Sequence, residues 1–245
     1  MSRLFRIAID GPAASGKSTT AKLLAKKLGF GYIDSGAMYR AVTLKCLDQG
    51  VNVHHTSQVE QVAKSAKIRF PALGKVELDN KDVSDAIRES RIVQNISPIA
   101  SNKNVRETLA EQQRSLARGD VDQGWPGFSW NDKQIHGVVM DGRDIGTVIL
   151  PDAELKVFII ADPKVRAQRR YDELAGKNAL ASGETVDSIA KDLAERDEAD
   201  RTRKVSPLKK ADDAEELDTS HKTIDEQVAD IEKMMLNRLS HMYHS

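Results

Sequence analysis

The stretch Gly11-Pro12-Ala13-Ala14-Ser15-Gly16-Lys17-Ser18-Thr19 combines residue types and spacing that dictate a ligand chemistry. Glycines at 11 and 16 let the backbone curl until consecutive N–H groups face the β- and γ-phosphates of a nucleoside triphosphate. Lys17 brings a point charge to those phosphates, and the Ser18 hydroxyl is a ligand for Mg²⁺. The helix that starts here directs its positive end at the same anion. The flanks agree with this reading. An apolar run from Phe5 to Ile9 precedes the loop and stops at Asp10. After it, Ala21, Leu24, Ala25 and Leu28 recur at helical spacing and are closed by Gly29.

Four carboxylates, Asp10, Asp34, Asp141 and Asp162, each end a predicted core strand. At the strand ends of a parallel sheet such groups hold Mg²⁺ directly or through water, and they also cap helices and form turns. Asp10 abuts a glycine and Asp162 precedes a proline, which suits capping; Asp34 and Asp141 are the better Mg²⁺ candidates. Arginines form a second signal. Arg40, Arg106, Arg143, Arg196 and Arg203 fall just inside helices or at strand ends. Guanidinium forks there can offset the charge of two phosphorylated ligands. Positions 196, 200 and 203 share one helical face, and spacing alone reads them as a surface salt-bridge ladder.

The elements that must position these residues follow from periodicity. Strand, loop and helix repeat as 5–10, 11–16 and 17–28, then as Gly31-Tyr32-Ile33 and a helix carrying Met38, Val42, Leu44 and Leu47, which Ser35 can cap. Alternation of this kind predicts a parallel sheet covered on both faces, with ligands at the carboxyl ends of its strands. Residues 58–96 interrupt it with a short helix opened by Ser57 and a hairpin, Lys67–Phe70 against Lys75–Leu78, with a further turn at Asp79-Asn80. A helix is expected from about Ser97 to Ala117. Residues 118–134 show no period and read as a long loop, its two tryptophans pinning it to the body, forming a flap or stacking on a base. Further strands are expected at His136–Met140 and Leu155–Ile160, charged helices after Asp162-Pro163 and over Thr185–Thr202, and a weak strand in AEELD. A final amphipathic helix presents Ile224, Val228, Ile231, Met235 and Leu239.

Composition narrows the classes. Lys+Arg and Asp+Glu both number 37 in 245 residues, and zero net charge argues against a broad nucleic-acid footprint. The one cysteine, Cys46, excludes an internal disulfide and a cysteine-built zinc site, and reads as a small buried apolar residue. MSRLFRIAID lacks the pattern of a signal peptide, and no segment approaches the ~20 apolar residues of a membrane span. A soluble cytoplasmic protein is expected.

Taken together, GPAASGKST, DSGAMYR, SPIASNKNVRETLAEQQR, DGRDIGTVILPDA and ERDEADRTRKVSPL resemble the bacterial cytidylate kinase family, in family order from residue 7 to about 218. DSGAMYR and DGRDIGTV carry the specificity of the match. The resemblance implies an α/β fold, a P-loop kinase with a central parallel β-sheet flanked by helices. It implies one kinase domain over 1–245, with its core at 1–57, 97–163 and 204–245, a small monophosphate-side insert at 58–96 and a helical lid at 164–203. It implies transfer of the γ-phosphoryl of ATP to CMP or dCMP with Mg²⁺, by a monomer. Gly11, Pro12, Ala13, Ala14, Ser15, Gly16, Lys17, Ser18 and Thr19 would bind ATP, with Ser18 on the metal. Ser35, Tyr39 and Arg40 would line the monophosphate site, and Ser97, Arg106 and Asp144 would read cytosine. Arg143, Arg196 and Arg203 would hold phosphates and Asp200 the ribose hydroxyls, with Lys17, Arg143 and Arg203 as the catalytic charges. One or more of Arg166, Arg169 and Arg170 would touch ATP phosphates from the lid. The loop 118–134 is longer than the family pattern leads one to expect.

Two other readings compete. A GTP-dependent switch needs an Asn-Lys-x-Asp guanine reader after a strand; Asn80-Lys81-Asp82 has the wrong spacing. A kinase of another small acceptor, such as shikimate or a different nucleoside monophosphate, shares the loop; against it, the Ser97, Arg106 and Asp144 set argues for cytosine.

Overall fold

Strand β1 (Phe5–Asp10) is buried along its whole length, as a strand covered on both faces must be. In the computed structural model, which describes residues 4–119, 125–177 and 179–244, it lies at the middle of a five-stranded sheet. The other strands are β2 (Gly31–Asp34), β8 (Gly137–Gly142), β9 (Leu155–Ile160) and β10 (Glu215–Asp218), in the order β10-β9-β1-β8-β2. The sheet is parallel and flanked by helices; Ile7 pairs with Leu155, and Glu215 with Val157. β9 is interior, as its apolar sequence predicts, and the weaker β10 is an edge.

By contact the chain divides into two compact units, Met1–Arg6 with Ala25–Met140, and Ile7–Leu24 with Asp141–Ser245. The first holds helices α2 (Ser35–Asp48), α3 (Thr56–Ser65), α4 (Ser90–Ser101) and α5 (Lys103–Arg118). It also holds a small sheet of β3 (Ile68–Arg69), β4 (Glu77–Leu78) and β5 (Lys81–Asp82), the expected hairpin with one added strand. Asp79 and Asn80 make the second turn with positive φ, 51° and 67°. Cys46 is buried on α2 as expected, and burial pushes its thiol up to about 11. The second unit holds the phosphate loop and helices α6 (Pro163–Gly176), α7 (Val186–Thr202) and α8 (Ile224–His244). α8 buries Val228, Ile231, Met235 and Leu239, the stripe its sequence shows. Helix α1 (Lys17–Leu28) begins in the second unit and ends in the first.

Three expectations need correction. Asp34, not Ser35, caps α2: its carboxylate accepts from the Ala37 N–H at 2.9 Å, an interaction of about 1 kcal/mol, and Ser35 is already helical. The single helix expected from Ser97 to Ala117 is two. Asn102 leaves α4 in an extended conformation (φ −72°, ψ 118°), and its side chain accepts from the N–H groups of Asn104 and Val105, starting α5. The long loop 118–134 contains an antiparallel hairpin, β6 (Phe128–Trp130) and β7 (Lys133–Ile135), turned by Asn131 and Asp132 with φ of 46° and 61°. Residues 120–124 of that stretch lie outside the described residues. Trp125 does pin it: a Cβ on Gly31 would lie 2.2 Å from the Trp125 ring, so only glycine fits beneath. The Gly127 N–H donates to the Gly29 carbonyl at 2.8 Å.

Candidate active site

In the second unit, the loop after β1 is fixed by backbone conformation first. Gly11 has φ 157°, and a Cβ there would meet the Ile159 carbonyl oxygen at 2.3 Å. Ala14 sits at φ 55°, a strained position for a residue with a side chain. Lys17 is buried, and its Nζ donates to the Pro12 carbonyl at 3.2 Å, across the loop it is expected to serve. Ser18 opens to solvent, and its hydroxyl donates to Asp141 Oδ2 at 2.6 Å. Asp141, at the end of β8, is buried. Among the described residues no group of three or more His, Cys, Asp or Glu could cage a metal. One hydroxyl and one carboxylate would fit a cation that takes most of its ligands from water and phosphate, as Mg²⁺ does.

Asp10 plays the capping part its sequence context suggests, at long range. Its Oδ1 accepts from the Ile145 N–H at 2.8 Å and its Oδ2 from the Gly146 N–H at 2.7 Å. Those donors open a short π-helical turn, Ile145–Ile149, directly after Asp144. Burial pushes the Asp10 carboxyl up to about 7 against these two N–H bonds, with the Asp144 charge adding to the rise and Arg143 opposing it. Asp162 caps α6, as expected, accepting from Lys164 N–H at 2.8 Å.

Arg143, Asp144, Asp200 and Arg203 come together in this unit. Arg143 Nε donates to Asp200 Oδ2 at 2.8 Å. Arg203 Nη1 lies 3.5 Å from Asp200 Oδ1, and its Nη2 lies 3.8 Å from Asp144 Oδ1. Arg203 stands just beyond α7 as its C-cap, so the Asp200–Arg203 pair is part of a partly buried cluster and not a surface ladder. Arg196, one turn earlier on α7 than Asp200, is exposed. Of the three arginines on α6, two are engaged with the phosphate loop. Arg166 is buried and donates to the Ala13 carbonyl at 3.0 Å and to Asp197 at 2.6 Å. Arg169 donates to the Thr219 carbonyl at 2.6 Å and more weakly to that of Ser15. Arg170 is bonded to Glu173 at 2.8 Å.

In the first unit, Arg40 Nη2 donates to Asp34 Oδ2 at 2.7 Å. Burial works against ionisation of Asp34, yet Arg40, the Ala37 N–H and Arg88 together hold its carboxyl below the usual range. Arg106 lies over the Tyr39 ring, 5.3 Å from its centroid, and donates to the Ala100 carbonyl at 3.1 Å. Ser35 is buried in the first turn of α2, and Ser97 is exposed on α4.

Sequence reasoning passed over Asp197, Thr219 and Gln227. The Asp197 carboxylate also accepts from the Ala13 N–H. The Thr219 hydroxyl donates to the Ser15 carbonyl at 3.1 Å, and Gln227 accepts from the Thr20 hydroxyl at 2.6 Å. A signal for the first existed: Ile189, Leu193 and Asp197 are the buried positions of α7 and stand four residues apart, so the aspartate occupies the apolar stripe.

The comparisons with known proteins agree. A family model described as cytidylate kinase matches residues 7–125 and 128–237. A cytidylate kinase of Chloroherpeton thalassium is 46% identical over 247 residues, covering 96% of this chain and 95% of that one. One from Chlorobaculum tepidum is 48% identical over 225 residues, covering 91% and 88%. A third, from Fusobacterium nucleatum, is 45% identical over 227 residues, covering 93% and 95%. The chain belongs to the cytidylate kinase family, ATP-dependent kinases that phosphorylate CMP and dCMP.

Proposed function

We propose that residues Gly11 to Thr19 hold the phosphates of ATP, with Lys17 as the positive charge on them, and that Arg143 and Arg203 stabilise the γ-phosphoryl group in transit. The observation that carries this is the Ser18–Asp141 bond at 2.6 Å. It joins the phosphate loop to the DGRD segment, whose Arg143 and Asp144 meet Asp200 and Arg203. Ser18, helped by Asp141, would hold Mg²⁺, which when bound neutralises charge between the β- and γ-phosphates.

The acceptor is a phosphate oxygen of CMP, already ionised near neutral pH, so no general base is required. The protein's part is placement and charge stabilisation. Arg196 joins Arg143 and Arg203 as a phosphate-holding residue, and Asp200 takes the ribose hydroxyls. From the first unit, Ser35, Tyr39 and Arg40 bind the monophosphate, and Ser97 and Arg106 read the base together with Asp144. The N4 amino donor of cytosine suits a carboxylate, and its N3 and O2 acceptors suit a guanidinium; uracil reverses the polarity at both N3 and position 4. In this reading 58–96 is an insert beside the monophosphate, 164–203 is a lid that excludes water, and the remainder is the core of one kinase domain. The enzyme works as a cytoplasmic monomer and binds no nucleic-acid polymer. Its zero net charge supports the last point, and among the described residues no helix is long and apolar enough to cross a membrane.

A coupled assay of ADP release with CMP, dCMP, UMP, AMP, TMP and shikimate tests the assignment. CMP and dCMP are the expected acceptors, with activity abolished by EDTA and restored by magnesium. Turnover of UMP equal to that of CMP would overturn the base-reading roles.

A further inference from the structure

The phosphate loop is gripped at one residue, Ala13, from both sides. Asp197 Oδ1 accepts from the Ala13 N–H at 3.2 Å, and Arg166 Nη1 donates to the Ala13 carbonyl at 3.0 Å. The same Arg166 nitrogen donates to Asp197 Oδ2 at 2.6 Å, closing a ring of three bonds between α6, α7 and the loop. Both side chains are buried, with 8% and 2% exposed. The Ala13 side chain completes the grip by packing in a small apolar cluster with Ala167 of α6 and Ile189 and Leu193 of α7.

Stability alone is a weak reason for this arrangement. Two charges taken out of water incur a desolvation penalty that their attraction only offsets when the geometry is good, and a well-packed apolar pair is often as stable. What an apolar pair cannot do is bond both the N–H and the C=O of one residue, and so hold two successive peptide units. The second of these units joins Ala13 to Ala14, whose positive φ the loop must maintain for its N–H groups to point inward.

We propose that Arg166 and Asp197 are positioning residues for phosphoryl transfer: as a buried ion pair they fix the backbone on both sides of Ala13, and so set the curl of the phosphate loop by the packing of α6 against α7. The inference rests on the reading that ATP phosphates occupy Gly11–Ser18. The pair touches no reacting atom. It acts because a loop displaced by a fraction of an ångström still binds nucleotide but presents its N–H groups poorly to the transferring group.

The test uses Arg166→Met/Asp197→Leu, which removes both charges together, and Asp197→Asn, which keeps the shape of the side chain and an acceptor for Ala13 but sets an amide against Arg166. Steady-state kinetics with CMP and ATP are run beside thermal unfolding. The double variant is expected to unfold within a few degrees of the wild type. Its kcat is expected to fall at least about tenfold while KM for CMP stays within about twofold. A folded double variant with kcat within about threefold of wild type overturns the inference, since the pair would then be structural only. So does an unchanged kcat with a raised KM for CMP, which would place the effect on Asp200 and Arg203 further along α7. If the double variant does not fold, Asp197→Asn is assayed well below its unfolding temperature against the same limits. Lys17→Ala separates this from the underlying reading: if that variant keeps full activity, the loop does not serve ATP and the parent assignment fails, whatever Asp197 does.

Discussion

The phosphate loop and the residues of the first unit proposed to bind the acceptor are held by different means. The loop and the turn that serves it are tied by buried carboxylates bonded to backbone N–H groups: Asp10 at Ile145 and Gly146, Asp197 at Ala13. The proposed acceptor-side residues are held through their own side chains, Arg40 by Asp34 and Arg106 by the Tyr39 ring and the Ala100 carbonyl, while Ser97 is left exposed. Backbone fixed from below leaves a pre-aimed set of donors that need not reorganise as charge develops, which suits the donor phosphates. Arginine held by a neighbouring side chain can exchange that partner for a ligand, which suits a site that must recognise and release an acceptor.

Substitutions test this contrast in order of expected size. Lys17→Ala, at the pre-aimed end, should lower kcat about a thousandfold, measured with both substrates saturating. Arg203→Ala should lower kcat about a hundredfold and leave ATP affinity nearly unchanged in calorimetry; a kcat within a factor of about three, under ~1 kcal/mol, removes it from the transferring group. Arg106→Ala should leave turnover with saturating CMP more nearly intact and reduce the preference for CMP over UMP about tenfold in kcat/KM. If that preference is unchanged, base recognition lies elsewhere. Asp34→Asn keeps a capping acceptor for α2 but weakens the hold on Arg40, and KM for CMP should rise about fivefold, ~1 kcal/mol, with kcat little changed.

The smallest effect is one of stability with pH. Folding raises the Asp10 carboxyl from 3.8 to about 7. Between these values the folded protein holds a proton that the unfolded chain has released, so Asp10's contribution is fully present below about 4 and is lost as pH rises through about 7. Asp10→Asn cannot titrate. The difference in Tm between wild type and this variant should therefore shrink from pH 5 to pH 7.5; a constant difference would mean that Asp10 is ionised throughout.

Local patterns in the chain carried most of the fold. β1, α1, β2, β9, α7 and α8 stand where periodicity and end signals put them, because a strand or an amphipathic helix advertises its buried face within a few residues. The errors fell where two local signals compete. The stretch 97–117 is helical almost throughout, and only the Asn102 side chain, satisfying two N–H groups, decides that it breaks. In 128–135 the alternation Phe128-Ser129-Trp130 is too short to announce a hairpin; Asn131 and Asp132 supply the positive φ that turns it. Within the candidate site, Lys17 and Ser18 were legible from motif spacing, and the DGRD segment from the family resemblance. Asp197 was not, because it reads as one more charge in a charged helix until its neighbours in the apolar stripe are seen to be buried.

By itself the sequence determined the order of strands and helices, the phosphate loop and the class of anion it takes, since each depends on residues within one turn or one strand of each other. Only the tertiary structure decided which carboxylates do which work. Asp10 meets Gly146 across 136 positions, and Asp197 meets Ala13 across 184. The burial that makes a buried N–H demand a partner, and a charge demand an opposite one, exists only once those segments have packed.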